Sequence, residues 1–267
     1  MRKFLLSIIL LAFCFTLAAA SKGGSDMADK NLVYQVNWSS SNITGKIILN
    51  GFEIGALDGD QASGFPASLW LTGKNKLEVN VSKQDKRSPA NLSINVSELE
   101  LGEITSTDEK GNIASLTVTD ADLKTGPVKR SVEFDSTFDF SNHLLGPTPE
   151  AKAVAEYAAK VYQLFAKKDA KGLAREFAVK VEDSSKAFYQ KIAPEQFVEM
   201  LKNDLLQDNL VKVETKNIKA KKANAQGSLW QLVDGSEELI RTRSDDGSTS
   251  SLPIYVGLIN GQLTIVR

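Results

Sequence analysis

The sequence predicts two domains, an all-β sandwich followed by an α+β domain whose helices pack on one antiparallel sheet. Three observations carry this. From Asn31 to Phe140 apolar residues recur at alternate positions, the period of half-buried strands. The segment SNHLLGPTP, Ser141 to Pro149, then sets a Gly-Pro and a second Pro in close succession, a break in regular structure. Behind it the period lengthens to that of a helix, and after Asn209 it returns to two. Helices before a meandering sheet make an α+β unit. The 267 residues, of which 42% are hydrophobic and 24% charged, suffice for two such cores. The expected division is 1–20, 21–30, 31–140, 141–148 and 149–267: signal peptide, mobile leader, sandwich, linker and α+β domain.

The chain opens with Arg2 and Lys3, an apolar run from Phe4 to Leu17, and Ala18-Ala19-Ala20 before Ser21. Charge, apolar core and small-residue site are the pattern of a secretory signal peptide. Nothing later reads as a membrane span, so the processed protein is expected in the periplasm or outside the cell. Cys14 is the single cysteine. Its removal would exclude disulfides, thiolate catalysis and Cys-zinc sites. The alternative is a distorted lipobox, Leu11-Ala12-Phe13-Cys14, with a lipid anchor at Cys14.

In the first domain Leu77, Val79 and Val81 alternate with polar residues, as do Leu92, Ile94 and Val96, then Val132 and Phe134. Asn50-Gly51 between apolar runs is read as a type I′ hairpin, because both positions need positive φ. Asp58-Gly59-Asp60 is read as a solvated turn. Calcium wants six to eight oxygens, and Ala62, Gly64 and Pro66 follow. Trp38 and Trp70 would be platforms for a sugar only if exposed; in strands they are read as core. Five Asn-x-Ser/Thr sequons stand at Asn37, Asn42, Asn80, Asn91 and Asn95.

In the second domain Thr148 is expected to cap a helix with Pro149 at its first position. Val154, Ala158, Val161, Tyr162 and Phe165 then share one face. Asp169 caps a second helix, Asp183 or Ser184 starts a third, and Pro194 opens a fourth with Phe197, Met200, Leu201 and Leu205 on one stripe. Strands are expected at 211–215, 225–233, 238–243, 252–258 and 262–266, the last two joined by Asn260-Gly261.

The second half, through AEYAAKVYQLFAKKDAKGLAREFA (Ala155 to Ala178) and SLPIYVGLINGQLTIVR (Ser251 to Arg267), resembles the NTF2-like superfamily of SnoaL-like and ketosteroid-isomerase-like proteins. That resemblance implies a curved sheet wrapped round a long helix, a cavity at the open end, and dimerisation through the sheet. The first half, through GKIILNGFEIGALDGD and FPASLWLTGKNKLEVNVSK, is similar over some forty residues to the galactose-binding-like β-sandwich. A plain immunoglobulin-like sandwich stays open beside it.

Composition narrows the chemistry. Net charge is −1, and the basic run KNIKAKKA, Lys216 to Ala223, has no interleaved aromatics, so nucleic acid is not expected. Residues 29–148 carry 11 Lys+Arg and 16 Asp+Glu, net −5, and 149–267 carry 18 and 16, net +2. His143 is the only imidazole and lies in the linker. No nucleophile elbow, zinc-binding His pair or phosphate loop occurs. No catalytic residue, metal or cofactor is assigned. The cone's pocket, where family enzymes place an acid or His base and a Tyr donor, offers Tyr162, Tyr189, Trp230, Arg241 and Tyr255 as binding candidates. Tyr162 also reads as a core tyrosine, and Arg241 with Arg243 as solvated charges on an edge strand. The reading is therefore an exported, non-catalytic protein that binds a small ligand or protein partner. An isomerase or dehydratase using the pocket, and an immunity or inhibitor protein, are the alternatives.

Overall fold

The computed structural model describes residues 31–102, 111–244 and 247–267. The expected signal peptide and leader, with Cys14 and the alternative lipobox, lie outside them. The protein is mostly β, with antiparallel sheets throughout and the first of them nearly closed. It divides into two compact units, with the division between Ser141 and Asn142.

In the first unit β1 (Leu32–Leu49) and β2 (Phe52–Pro66) form a long hairpin. Its turn is Asn50-Gly51, with φ of 52° and 85°, the left-handed geometry that Asn-Gly supplies most cheaply. Asn50 also fastens the turn. Its amide donates to the Trp70 carbonyl and to Asn75 Oδ1, both at 2.9 Å, and its Oδ1 accepts from the Lys76 N–H. Asn75, from the Gly73-Lys74-Asn75 motif, is 2% exposed.

β1 changes neighbour halfway along. Leu32 to Ser41 pair with β4 (Asn91–Glu100), and Ile43 to Leu49 pair with β3 (Thr72–Lys83). Asn42, with φ of 54°, sits at the bend, where the register with β2 also shifts. Its amide donates to the carbonyls of Asp85 and Ser88, and its Oδ1 accepts from the Asp85 N–H at 2.7 Å. β5 (Asn112–Thr119) pairs β4, and β6 (Val128–Asp139) pairs β3. The alternation brings Val36, Trp38, Ile47, Val79, Leu92 and Ile94 into one core. Each such side chain contributes about 1.5–3 kcal/mol when fully buried. Asp58-Gly59-Asp60 is not a free turn, because β2 runs straight through it. Asp60 accepts from the Asn42 N–H and Ser41 Oγ, so it closes the bulge opposite.

The second unit opens within a helical turn, α1 (Ser141–Leu144), whose Leu144 is buried. α2 (Ala151–Ala166) buries Val154, Tyr157, Ala158, Val161, Tyr162 and Phe165 on one stripe. Thr148 does not cap it. Its hydroxyl donates to the Gln226 carbonyl at 2.9 Å, and Glu150 takes the capping position. Asp169 does cap α3 (Ala170–Glu176), accepting from the Gly172 N–H at 2.8 Å. α4 (Ala178–Ala187) starts directly after Phe177, five residues before the expected Asp183, whose carboxylate is engaged elsewhere. α5 (Pro194–Met200) opens on its proline and runs into a single π turn at Leu201–Leu205.

The expected single sheet is two. In one, β9 (Leu229–Asp234) pairs with β8 (Ile218–Lys222), β10 (Glu237–Glu238) and β13 (Tyr255–Ile259), and β14 (Gln262–Ile265) pairs β13. In the other, β11 (Ile240–Arg243) lies between β7 (Asn209–Leu210) and β12 (Thr249–Leu252). The strand expected at 252–258 breaks at Pro253, which has no N–H for the ladder. The one expected at 238–243 breaks at Leu239, whose N–H turns to the Leu232 carbonyl. The strand expected at 225–233 starts only at Leu229, since Asn224 Oδ1 accepts from the N–H groups of Gly227 and Ser228 and folds the chain into a turn. Ladder pairing beyond Leu210 ends with the Val211 N–H on the Arg241 carbonyl, because Tyr162 intercepts the following backbone. Asn260-Gly261, with φ of 50° and 78°, makes the closing hairpin.

Candidate functional site

α4 carries two different faces. Ala178, Val181, Glu182 and Ser185 are spaced i, i+3, i+4 and i+7 and share one side. Together with Ala174 of α3, Ile192 of the following loop, and Pro194 and Phe197 of α5, they wall a pocket of about 550 Å³. Lys191, Ala193 and Gln196 complete its lining. Phe177, whose ring meets those of Phe165 and Phe197 at 6.5 and 6.1 Å, ties α3 and α5 to the core behind.

The pocket's polar groups are few. Glu182 is held by Lys186 at 2.7 Å, and that hydrogen bond keeps its carboxyl below the usual carboxylate range. Ser185 and Gln196 offer a hydroxyl and an amide. Among the described residues, no carboxylate lies within ion-pair distance of Lys191. No tyrosine lines the pocket.

The other face of α4 holds Lys180, Asp183 and Ala187. Asp183 is fully buried and accepts from Arg267 Nη1 at 2.6 Å. His143 Nδ1 stands 2.9 Å from the same carboxylate. The sole imidazole is thus bound to a structural acid. Burial pulls the Lys180 ammonium down to about 8, with the nearby Arg267 charge adding to it. Its Nζ lies 5.8 Å from the centre of the Phe177 ring. Elsewhere, burial and then the Glu176 carboxylate push the Tyr157 hydroxyl well up, and burial raises the Glu238 carboxyl. Neither lines the pocket. Among the described residues, no group of three or more His, Cys, Asp or Glu side chains is placed to hold a metal ion. None of their helices is long and apolar enough to cross a membrane.

The five candidates chosen from the sequence are not brought together. Tyr162 is buried in the core, where its hydroxyl takes the Val213 N–H at 2.9 Å and donates to the Val211 carbonyl. Trp230 is buried with its indole N–H on the Gly227 carbonyl. Tyr255 is half-buried opposite Gln231 on β9, so it faces away from Trp230. Arg241 is not a solvated edge charge. β11 is a central strand, and Arg241 pairs with Asp234 and Glu237. Tyr189 is not helical. It has φ of 55° just past α4 and is 41% exposed. Trp38 lies in the sandwich core. Ala178, Val181 and Ser185 make only a weak apolar stripe, so the pocket wall is faint in the sequence and their helical spacing is its one signal. Comparison with family models, with curated proteins and with solved structures finds no match.

Proposed function

We propose that this is an exported, non-catalytic binding protein, a β-sandwich unit followed by an NTF2-like unit, and that it holds a small ligand between α3, α4 and α5. The observation that carries this is the pocket of about 550 Å³ with apolar walls and few polar groups, the size and lining of small-molecule sites. Its one carboxylate is occupied by Lys186, which supports binding over proton transfer. The stripe of α2 packed toward Trp230, Leu232 and Val256 supports the NTF2-like reading, and the charged, apolar, small-residue start supports export. Dimerisation through the C-terminal sheet and a protein partner remain expectations of the same proposal. Two measurements test it. Amino-terminal sequencing of periplasmic protein should begin at Ser21; intact Met1 confined to the cytosol defeats export. Native mass spectrometry of the purified protein should show a bound small mass that Ala178→Trp removes, and a ligand retained by a folded Ala178→Trp protein places it elsewhere.

A further inference from the structure

We infer that the pocket takes an amphiphile with an anionic head, a medium- or long-chain carboxylate being the simplest member, with the head at Lys191. This rests on the ligand-binding reading above and adds the ligand's class.

Two features decide the class. The first is the wall. Ala178, Val181, Ile192, Pro194 and Phe197 present methyl, methylene and ring surface, which gains only from apolar burial. At about 30 Å³ per heavy atom, the share of one water in the liquid, the pocket holds at most roughly 18 such atoms. That matches an alkyl chain or a small ring system.

The second feature is charge. Two charged side chains line the pocket, Glu182 and Lys191; Asp183 is buried on the other face of α4, and Glu195 is not part of the lining. Glu182 is neutralised by Lys186 across 2.7 Å. Lys191 is left with no carboxylate at ion-pair distance among the described residues. A cationic head would meet an acid that is already occupied and an opposing ammonium. An anionic head would meet Lys191, with the Gln196 amide on the same lining as a second donor. Lys191 is exposed, so its attraction is moderate and screened by salt. The apolar wall supplies affinity, and the lysine selects the head.

The test is calorimetric titration of the purified full-length protein with decanoate, decanol and decylammonium, which share one chain and differ in the head. Decanoate should bind about 5–10-fold more tightly than decanol, with decylammonium weakest. Lys191→Gln should bring decanoate to the affinity of decanol and leave decanol unchanged. Ala178→Trp and Val181→Glu, each checked for folding by its melting transition, should abolish both. Equal binding of decanoate and decanol, both lost in the wall variants, overturns the anionic head and leaves the ligand pocket standing. Preference for decylammonium does the same. Failure of all three to bind overturns the pocket reading with the inference.

Discussion

Arg267 donates its Nη1–H to the Asp183 carboxylate at 2.6 Å, with both side chains out of water. The contact joins the segment after β14 to the middle of α4, and His143 brings α1 to the same carboxylate. One acid thereby fastens three stretches that lie far apart in sequence.

A buried ion pair is costly to break from one side, since the survivor keeps its charge without a partner. Asp183→Ala is expected to lower stability by about 3–5 kcal/mol. Replacing Asp183 and Arg267 together by Leu and Met should cost far less than the sum of the single changes. Urea denaturation of the four proteins in the cycle measures this, and strict additivity would refute the coupling.

Lys180 lies on the same helix face with an amine drawn down to about 8 from an ordinary 10.5 by burial and then by Arg267. Between those values the unfolded chain holds a proton that the folded chain has released. Stability should therefore rise with pH from about 8 to 10.5 through this residue, and below 8 folding bears the cost of its partly buried charge. Lys180→Met should be more stable than the parent at pH 7 and lack that rise. Melting temperatures across pH 7 to 10 report it, and parallel curves for the two proteins would contradict the assignment.

Tyr162 serves the fold as a hydroxyl bridging Val213 N–H and Val211 carbonyl. Tyr162→Phe keeps the ring and strands two backbone groups, for an expected loss of about 1–3 kcal/mol. Amide hydrogen exchange at Val213 should quicken. An unchanged rate there would show that the hydroxyl does not hold this segment.

Asn42 is a structural asparagine as well as a sequon. Its side chain is committed to Asp85 and Ser88, and its backbone has φ of 54°. Asn42→Ala should cost roughly 2–4 kcal/mol, from lost hydrogen bonds and left-handed strain. In a glycosylating host, peptide mass spectrometry should find Asn42 bare in the folded protein. A glycan at full occupancy there would contradict the bend.

Where local chemistry decides, sequence pattern and structure agree. Asn50-Gly51 and Asn260-Gly261 turn as their positive φ requires, Asp169 caps α3, Pro194 opens α5, and the period-two strands of the first unit bury their alternate residues. Where two segments compete for one group, sequence pattern and structure part. Thr148 satisfies Gln226 instead of a helix end. Asp183 looks like a cap in sequence and is a buried acid in space, because its partners stand 40 and 84 positions away. Val211 to Thr215 alternates like a strand, yet most of it pairs with nothing in a ladder, since a tyrosine from α2 takes its backbone.

The sequence by itself determined the Asn-Gly turns, the helix stripes and the change of period around Pro147 and Pro149, all of which depend on neighbours within a few residues. Tertiary structure alone decided which polar groups are neutralised and where space remains. Arg267 takes Asp183 from 84 positions away, and His143 reaches the same carboxylate from 40. Ala174, Ala178 and Phe197 line a half-open hollow only once three helices converge. Charge compensation and empty space are properties of distances between segments, and the linear order of residues does not carry those distances.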